Sequence, residues 1–257
     1  MTSATSHDRR IQDQFSRQAG TFAAVPSHSA ESSLSVLLEM SGATKSDIAL
    51  DVACGPGIVT CAFAPHVASI RGQDVVPQMV ERARARRAEL ALDNASFDVG
   101  DSNALPYPDD SFDLVVTRFS FHHFSAPAQA LRELARVCKP NGRVIVADVA
   151  PSPETSAAYD HFETIRDPSH THALTEAEFD ALVSAASLEV TARRRYGLAM
   201  PLEAQLAASF PEPGGREALR ALFEADLGKN RLGVEARCEQ GAIHFTYPVL
   251  VLRCERV

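Results

Sequence analysis

The chain has 257 residues, 45% of them hydrophobic and 23% charged, with 33 Asp and Glu against 25 Lys and Arg for a formal net charge of −8. That length and composition sustain an ordinary α/β core without disulfides or metal, and the acid excess, with a pI near 5.6, argues against nucleic acid as a partner, because phosphate binding draws on clustered Lys and Arg. No apolar run approaches the roughly 20 residues of a bilayer span, no apolar secretion core opens the chain, and the five cysteines lack C-x-x-C spacing, so a cytoplasmic protein with reduced thiols, no metal and no membrane contact is expected.

Taken in order, the segment from Ile11 to Phe22 reads as a short amphipathic helix, and Leu34 to Leu38 as a helix covering a sheet. Apolar runs then alternate with helical stretches, the pattern of a parallel sheet wrapped on both faces. Strands are expected at about 48–53, 68–74, 95–99, 112–117, 143–149, 188–196 and 245–253. Helices from Pro77 to Leu92 and from Pro127 to Val137 each place proline in the first turn, where its missing N–H costs nothing. Within the first of these, the run Arg82 to Arg87 reads as a solvated face. Lys139-Pro140-Asn141-Gly142 stops the second and turns the chain into the fifth strand. Two regions, about 150–173 and 197–242, exceed what the sheet requires, and additions beyond the carboxyl ends of such strands wall a ligand site.

The most informative stretch is Ile48-Ala49-Leu50-Asp51-Val52-Ala53-Cys54-Gly55-Pro56-Gly57, an apolar strand ending in a carboxylate and a glycine turn. Glycines there let the backbone approach a ligand closely. The next apolar run closes on Asp74, a carboxylate suited to a ribose diol. A dinucleotide fingerprint needs G-x-G-x-x-G; here Gly55-x-Gly57-x-x-Thr60 lacks the third glycine, which disfavours an NAD-dependent oxidoreductase. Carboxylates at both Asp51 and Asp74 suit a ligand with a cation and a ribose, as in S-adenosylmethionine.

At these residues the chain resembles the class I S-adenosylmethionine-dependent methyltransferases, in particular the small-molecule, ubiquinone/menaquinone-type branch. Asp51 to Gly57 matches the family's first motif with Ala53 in the first glycine slot. Gly72 to Met79, Gly100 to Asp113, Phe121-His122-His123-Phe124 and Leu131 to Asp148 follow in the family's order. The resemblance implies a doubly wound, seven-stranded, mostly parallel sheet of Rossmann-like methyltransferase fold with helical lid insertions. It implies an N-terminal lid segment over 1–30 and a methyltransferase domain over 31–257, acting as a monomer or homodimer.

By the same resemblance, S-adenosylmethionine is the methyl donor and S-adenosylhomocysteine the product. Asp51, Ala53, Gly55 and Gly57 would surround the methionine half, and Asp74 would hold the ribose. Val75 and Met79 would pack on the adenine, Asp101 with Ser102 beside it would take the adenine amino group, and Arg118 and Phe119 would border the cofactor. His122 and His123 are candidates for a general base, since neutral imidazole titrates near physiological pH; a role in starting a helix is the competing reading. His170, in Arg166-Asp167-Pro168-Ser169-His170-Thr171-His172, could deprotonate a phenol or orient an acceptor. No Asn/Asp-Pro-Pro-aromatic box follows the fourth strand, which weakens a nucleobase or protein-amide acceptor. The expected reaction is methyl transfer to O, C or N of a small, aromatic or other secondary metabolite; a protein or nucleic-acid methyltransferase and a non-catalytic S-adenosylmethionine-binding protein are the alternatives.

Overall fold

Two helices, α1 (Ser6–Gln18) and α2 (Glu31–Ser41), precede β1 (Ile48–Val52), α3 (Ile58–Phe63), β2 (Ser69–Asp74), α4 (Pro77–Glu89) and β3 (Ala95–Val99). Next come β4 (Phe112–Arg118), α5 (Pro127–Val137), β5 (Cys138–Val149), α6 (Ser156–Arg166) and α7 (Glu176–Ala185). The chain closes with β6 (Leu188–Pro201), α8 (Leu202–Ala207), α9 (Gly215–Asp226), β7 (Arg237–Glu239) and β8 (Ala242–Arg256). This computed structural model describes residues 6–18 and 31–256; the 1–5 and 19–30 parts of the expected N-terminal segment lie outside the described residues.

The strands form one sheet in the order β3-β2-β1-β4-β5-β8-β6, with β7 paired to β8. The first five run parallel, whereas β8 is antiparallel to both β5 and β6. Direction along the sheet reverses between β1 and β4, the switch point above which such folds bind ligands.

Alternation along the strands sends side chains to opposite faces. Leu50, Val52 and Val115 pack with Leu131, Leu134 and Phe179 on one side; Ala49, Leu114 and Val116 pack with Leu37, Phe63 and Val80 on the other. Both faces are covered, which is why these strands read as nearly continuous apolar runs. A third core lies beyond the carboxyl ends of the strands, where Val149, Tyr159, Phe162, Met200, Phe223, Phe245 and Tyr247 meet. Its aromatic rings contact edge-on, Phe162 to Phe223 at 5.3 Å, Phe223 to Phe245 at 5.0 Å and Phe245 to Tyr247 at 4.8 Å, the arrangement favoured by ring quadrupoles.

The sheet departs from expectation in three places. β6 and β8 extend as a ladder from Leu188↔Arg256 to Pro201↔His244, so residues 197–201 of the second inserted region are strand, not insertion. Gly197 permits this close pairing, since a Cβ there would stand 2.6 Å from the Thr246 methyl. β7 makes an eighth strand, joined to β8 through Gln240 (φ 51) and Gly241 (φ 80), the left-handed pair of a tight hairpin turn. The 139–142 turn lies inside β5, where Asn141 has φ 62 and the pairing with β4 shifts between Phe112 and Leu114.

Candidate functional site

At the carboxyl end of β1 the chain makes a turn with three left-handed residues, Ala53 (φ 57), Gly55 (φ 52) and Gly57 (φ 77). The two glycines do different work. A Cβ on Gly57 would come within 2.9 Å of the Ala83 Cβ and 3.1 Å of the Phe97 ring, so Gly57 seats the start of α3 against α4 and β3. A Cβ on Gly55 meets nothing within 4 Å, because this backbone faces an open cavity.

The turn is tied to β2 by its acid. Asp74 Oδ2 accepts from the Gly55 amide at 2.8 Å and Oδ1 from the Val76 amide at 2.9 Å. Asp51, only 1% exposed, accepts from Thr60 Oγ1 at 2.6 Å. It does not cap α3, whose N-cap is Gly57. Burial pushes the Asp51 carboxyl up to about 7, against the hydrogen bond from Thr60 and the charge of Arg118, and pushes Asp74 up to about 6 against its backbone hydrogen bonds. Two buried acids with raised proton affinity favour a ligand that brings a cation and hydroxyl donors.

The cavity above this turn measures about 300 Å³, within the range of small-molecule sites. Asp51, Ala53, Gly55, Asp74, Val75, Met79, Asp101, Ser102, Arg118 and Phe119 all line it; Gly57 does not. Val75 is 37% exposed and Met79 is buried, and both line this wall as apolar surface for a flat group. Asp101 Oδ1 accepts from the Asn103 amide and side chain. The Asn103 Oδ1 is buried at this wall with no hydrogen-bond partner among the described residues, an acceptor suited to an amino group. The sequence reading passed over Asn103 because Asp101 carried the motif. Arg118 donates to Ser33 Oγ at 3.0 Å and lies 4.5 Å over the Phe119 ring, bracing the far wall; burial lowers its pKa while Tyr196 and Asp51 oppose that. Ile11, Gln12 and Phe15 of α1 close one side.

A second compartment of about 60 Å³ adjoins the first and shares Phe15, Phe119 and His123 with it. Val149, Tyr159, Leu198 and Tyr247 supply apolar walls, and His122, Glu163, Arg166, Asp167 and Gln205 supply polar ones. The inserted 150–173 region and α8 build this chamber.

His122 enters it from the turn after β4, held by the carboxyl end of β5. Its Nδ1 donates to Asp148 Oδ1 at 2.6 Å, while Asp148 also accepts from the amides of Ser120, Phe121 and Val149. With Nδ1 committed as donor, Nε2 is the basic nitrogen. Burial disfavours the imidazolium, but the charge and hydrogen bond of Asp148 outweigh it and raise the His122 pKa. His123, on the partition between the chambers, is driven down to about 3 by burial and by His122 and is neutral; its ring meets Phe15 edge-on at 4.9 Å.

Glu163 accepts from Arg166 at 2.8 and 2.6 Å and from the Tyr247 hydroxyl at 2.9 Å. His170 lines neither chamber. Its Nε2 is clasped by Asp160 at 2.7 Å, and the other Asp160 oxygen takes His172 at 2.6 Å, so this histidine pair braces α6 against the following loop. Glu163, Tyr247 and Gln205 carry no local motif, and only the fold brings them to the chamber; Asp148, at the end of the Leu131 to Asp148 match, reaches it through His122. Among the described residues no cluster of three or more His, Cys, Asp or Glu is arranged to hold a metal, and no helix is long and apolar enough to cross a membrane.

Residues 50–146 match a family profile described as a methyltransferase domain. A protein of Bacillus subtilis named uncharacterized methyltransferase YcgJ is 37% identical over 151 residues, covering 58% of this chain and 60% of the relative. Demethylmenaquinone methyltransferase of Deinococcus radiodurans is 41% identical over 105 residues, covering 40% of this chain and 43% of the relative. These matches thus span about half the length of the curated relatives. The crystal structure of YcgJ superposes with a TM-score of 0.81 at 26% identity, over 88% of this chain and 98% of that one.

Proposed function

Since this chain carries a class I S-adenosylmethionine-dependent methyltransferase domain, we propose that it transfers a methyl group to a small-molecule acceptor. The observation that carries the reading is the cavity above β1, where an open Gly55 backbone and the Asp51 and Asp74 carboxylates face one space. S-adenosylmethionine would supply a methyl group on a sulfonium centre. Asp51 would hold its ammonium and Asp74 its ribose hydroxyls, with charge-assisted bonds stronger than neutral ones. Val75 and Met79 would pack on the adenine, and Asp101 and Asn103 would receive its amino group. Helix α1, whose Ile11 and Phe15 line the cavity, would help to keep water from it.

The second chamber would take the acceptor. Its partition of Phe119 and His123 sets the approach of the two reactants, and alignment alone accounts for much of the barrier reduction in such a displacement. His122, fixed by Asp148, would accept the proton of a hydroxyl acceptor at Nε2. The kinship with an enzyme named for demethylmenaquinone supports a small-molecule acceptor, and the net charge of −8 speaks against nucleic acid.

The test is calorimetric titration with S-adenosylhomocysteine, with NAD as control and Asp74→Ala alongside. Micromolar binding of the former that Asp74→Ala weakens at least tenfold supports the donor site. Preference for NAD, or no binding, refutes it. Methyl-labelled donor incubated with a metabolite extract separates turnover from mere binding: label appears in small molecules if the chain is an enzyme on them, and stays in the donor if the site only binds.

A further inference from the structure

The polar wall of the second chamber says which acceptors it takes. Gln205, on α8, is 5% exposed and lines the chamber. Its Oε1 is buried with no hydrogen-bond partner among the described residues. Leaving a buried acceptor unsatisfied disfavours the folded state, and a ligand bearing a donor removes that deficit.

Charge narrows the choice further. The Arg166 guanidinium is engaged by Glu163 through two hydrogen bonds, and Asp167 Oδ2 lies 3.8 Å from the same guanidinium. Arg166 is thus already taken up by a carboxylate of the same wall. Across the chamber, the Asp148 carboxylate stands behind His122 at 2.6 Å. An entering carboxylate or phosphate would add a negative charge to a buried site whose Arg166 and His122 are each already paired with a carboxylate. The remaining walls, Val149, Leu198 and Tyr159, are apolar.

We propose that Gln205 is a specificity-determining residue that accepts a hydrogen bond from an uncharged, compact acceptor with an O–H or N–H group, while the prior pairing of Arg166 and His122 with carboxylates excludes anionic acceptors. This rests on the second chamber being the acceptor site. At about 60 Å³ the chamber houses the reactive end of such a molecule. A site built to satisfy a buried polar group rejects the analogue that lacks the matching donor far more strongly than it rejects a change of one methylene.

The experiment uses the full chain with methyl-labelled Val and Leu, titrated by NMR with phenol, toluene and benzoate, in the presence and absence of S-adenosylhomocysteine. Phenol is expected to shift the Val149 and Leu198 methyl signals, toluene to bind at least tenfold more weakly, and benzoate not to bind. Gln205→Leu should cut the preference for phenol over toluene at least tenfold. The inference is overturned if toluene or benzoate binds as tightly as phenol, if no probe shifts these methyls, or if the wild-type preference persists in the variant. The wild-type comparison stands even should Gln205→Leu fold poorly. S-adenosylhomocysteine binding is read from the same samples, so binding of that ligand without phenol selectivity sinks this inference alone, and selectivity without that ligand sinks the donor-site reading alone.

Discussion

Asp74 at the end of β2 holds the amide of Gly55 at 2.8 Å across the turn after β1, so one carboxylate both shapes the turn and faces the cavity it encloses. Removing it therefore acts on two levels. Asp74→Ala is expected to lower S-adenosylhomocysteine affinity by roughly 100-fold, about 2.8 kcal/mol, from lost charge-assisted bonds. Asp74→Asn, which keeps one acceptor oxygen, should lose less. Titration calorimetry of both variants checks the order.

Binding should depend on pH in a defined direction. In the free protein, burial raises Asp51 to about 7 and Asp74 to about 6, so both are substantially protonated at pH 5.5. A cationic ligand favours their ionised forms, and affinity should rise from pH 5.5 to 8 with proton release on binding. Stability of the free protein runs the other way for these two groups: raised folded-state values contribute most below pH 4 and are lost as pH climbs through 6 to 7. Calorimetry in two buffers of different ionisation heat reads the released protons; affinity flat or falling over that range would count against the assignment.

The glycines of the turn separate folding from binding. Gly57→Ala forces a Cβ into Ala83 and Phe97 at a left-handed φ, and should destabilise by about 2–4 kcal/mol. Gly55→Ala meets no protein atom, so only the backbone penalty of about 1 kcal/mol applies to its stability, while ligand binding should vanish. Thermal melts with and without S-adenosylhomocysteine distinguish the pair.

How far the sequence reveals this site follows from how locally each part is encoded. The turn, the acids at the strand ends and the parallel strands are legible because each is fixed by neighbours in the chain: apolar runs, a glycine pair, a closing Asp. Strand β7 is not, because Arg237-Cys238-Glu239 is too short and polar to show a period. Asp148 reads as the end of a strand, and nothing near it announces His122, 26 residues away. Gln205 sits in a helix of six residues whose only claim on the chamber is the packing of the third core. His170 shows the converse, a histidine that looks available in sequence and is taken up by Asp160.

Ala53 occupies a left-handed position, φ 57, without being glycine. Ala53→Gly is expected to relieve about 0.5–1 kcal/mol of backbone strain net of the greater freedom of the unfolded chain. Scanning calorimetry should show a melting temperature higher by about 1–4 °C. A lower one would mean that the Ala53 methyl contributes packing that outweighs the strain.

The buried His122–Asp148 pair should be worth more to the fold than any surface ion pair. Asp148→Ala leaves His122 and three amides without their acceptor, which predicts a loss of about 3–5 kcal/mol and a fall in melting temperature on the order of 10 °C. The Asp148 pKa is lowered, burial notwithstanding, by His122 and backbone donors, and that of His122 is raised. The Asp148 contribution therefore fades as pH falls below about 4, and that of His122 fades as pH rises above about 6.5. The gap between wild type and Asp148→Asn should be widest between those limits, as urea melts at pH 3, 5.5 and 8.5 will reveal.

The family match ends at residue 146, and apart from the shared partition and His122 every wall of the second chamber comes from Val149 or later. Apart from α1 and that partition, the two chambers are thus written in consecutive stretches of chain. If the second chamber takes the acceptor, substitutions after residue 146 would drift toward a new guest without disturbing the grip at the glycine turn, and a graft of the later stretch onto a relative's earlier one would transplant the guest preference with it. Kinship measured over the shared stretch would then report the ancestry of the grip and the broad class of guest, and leave the particular guest to the later residues.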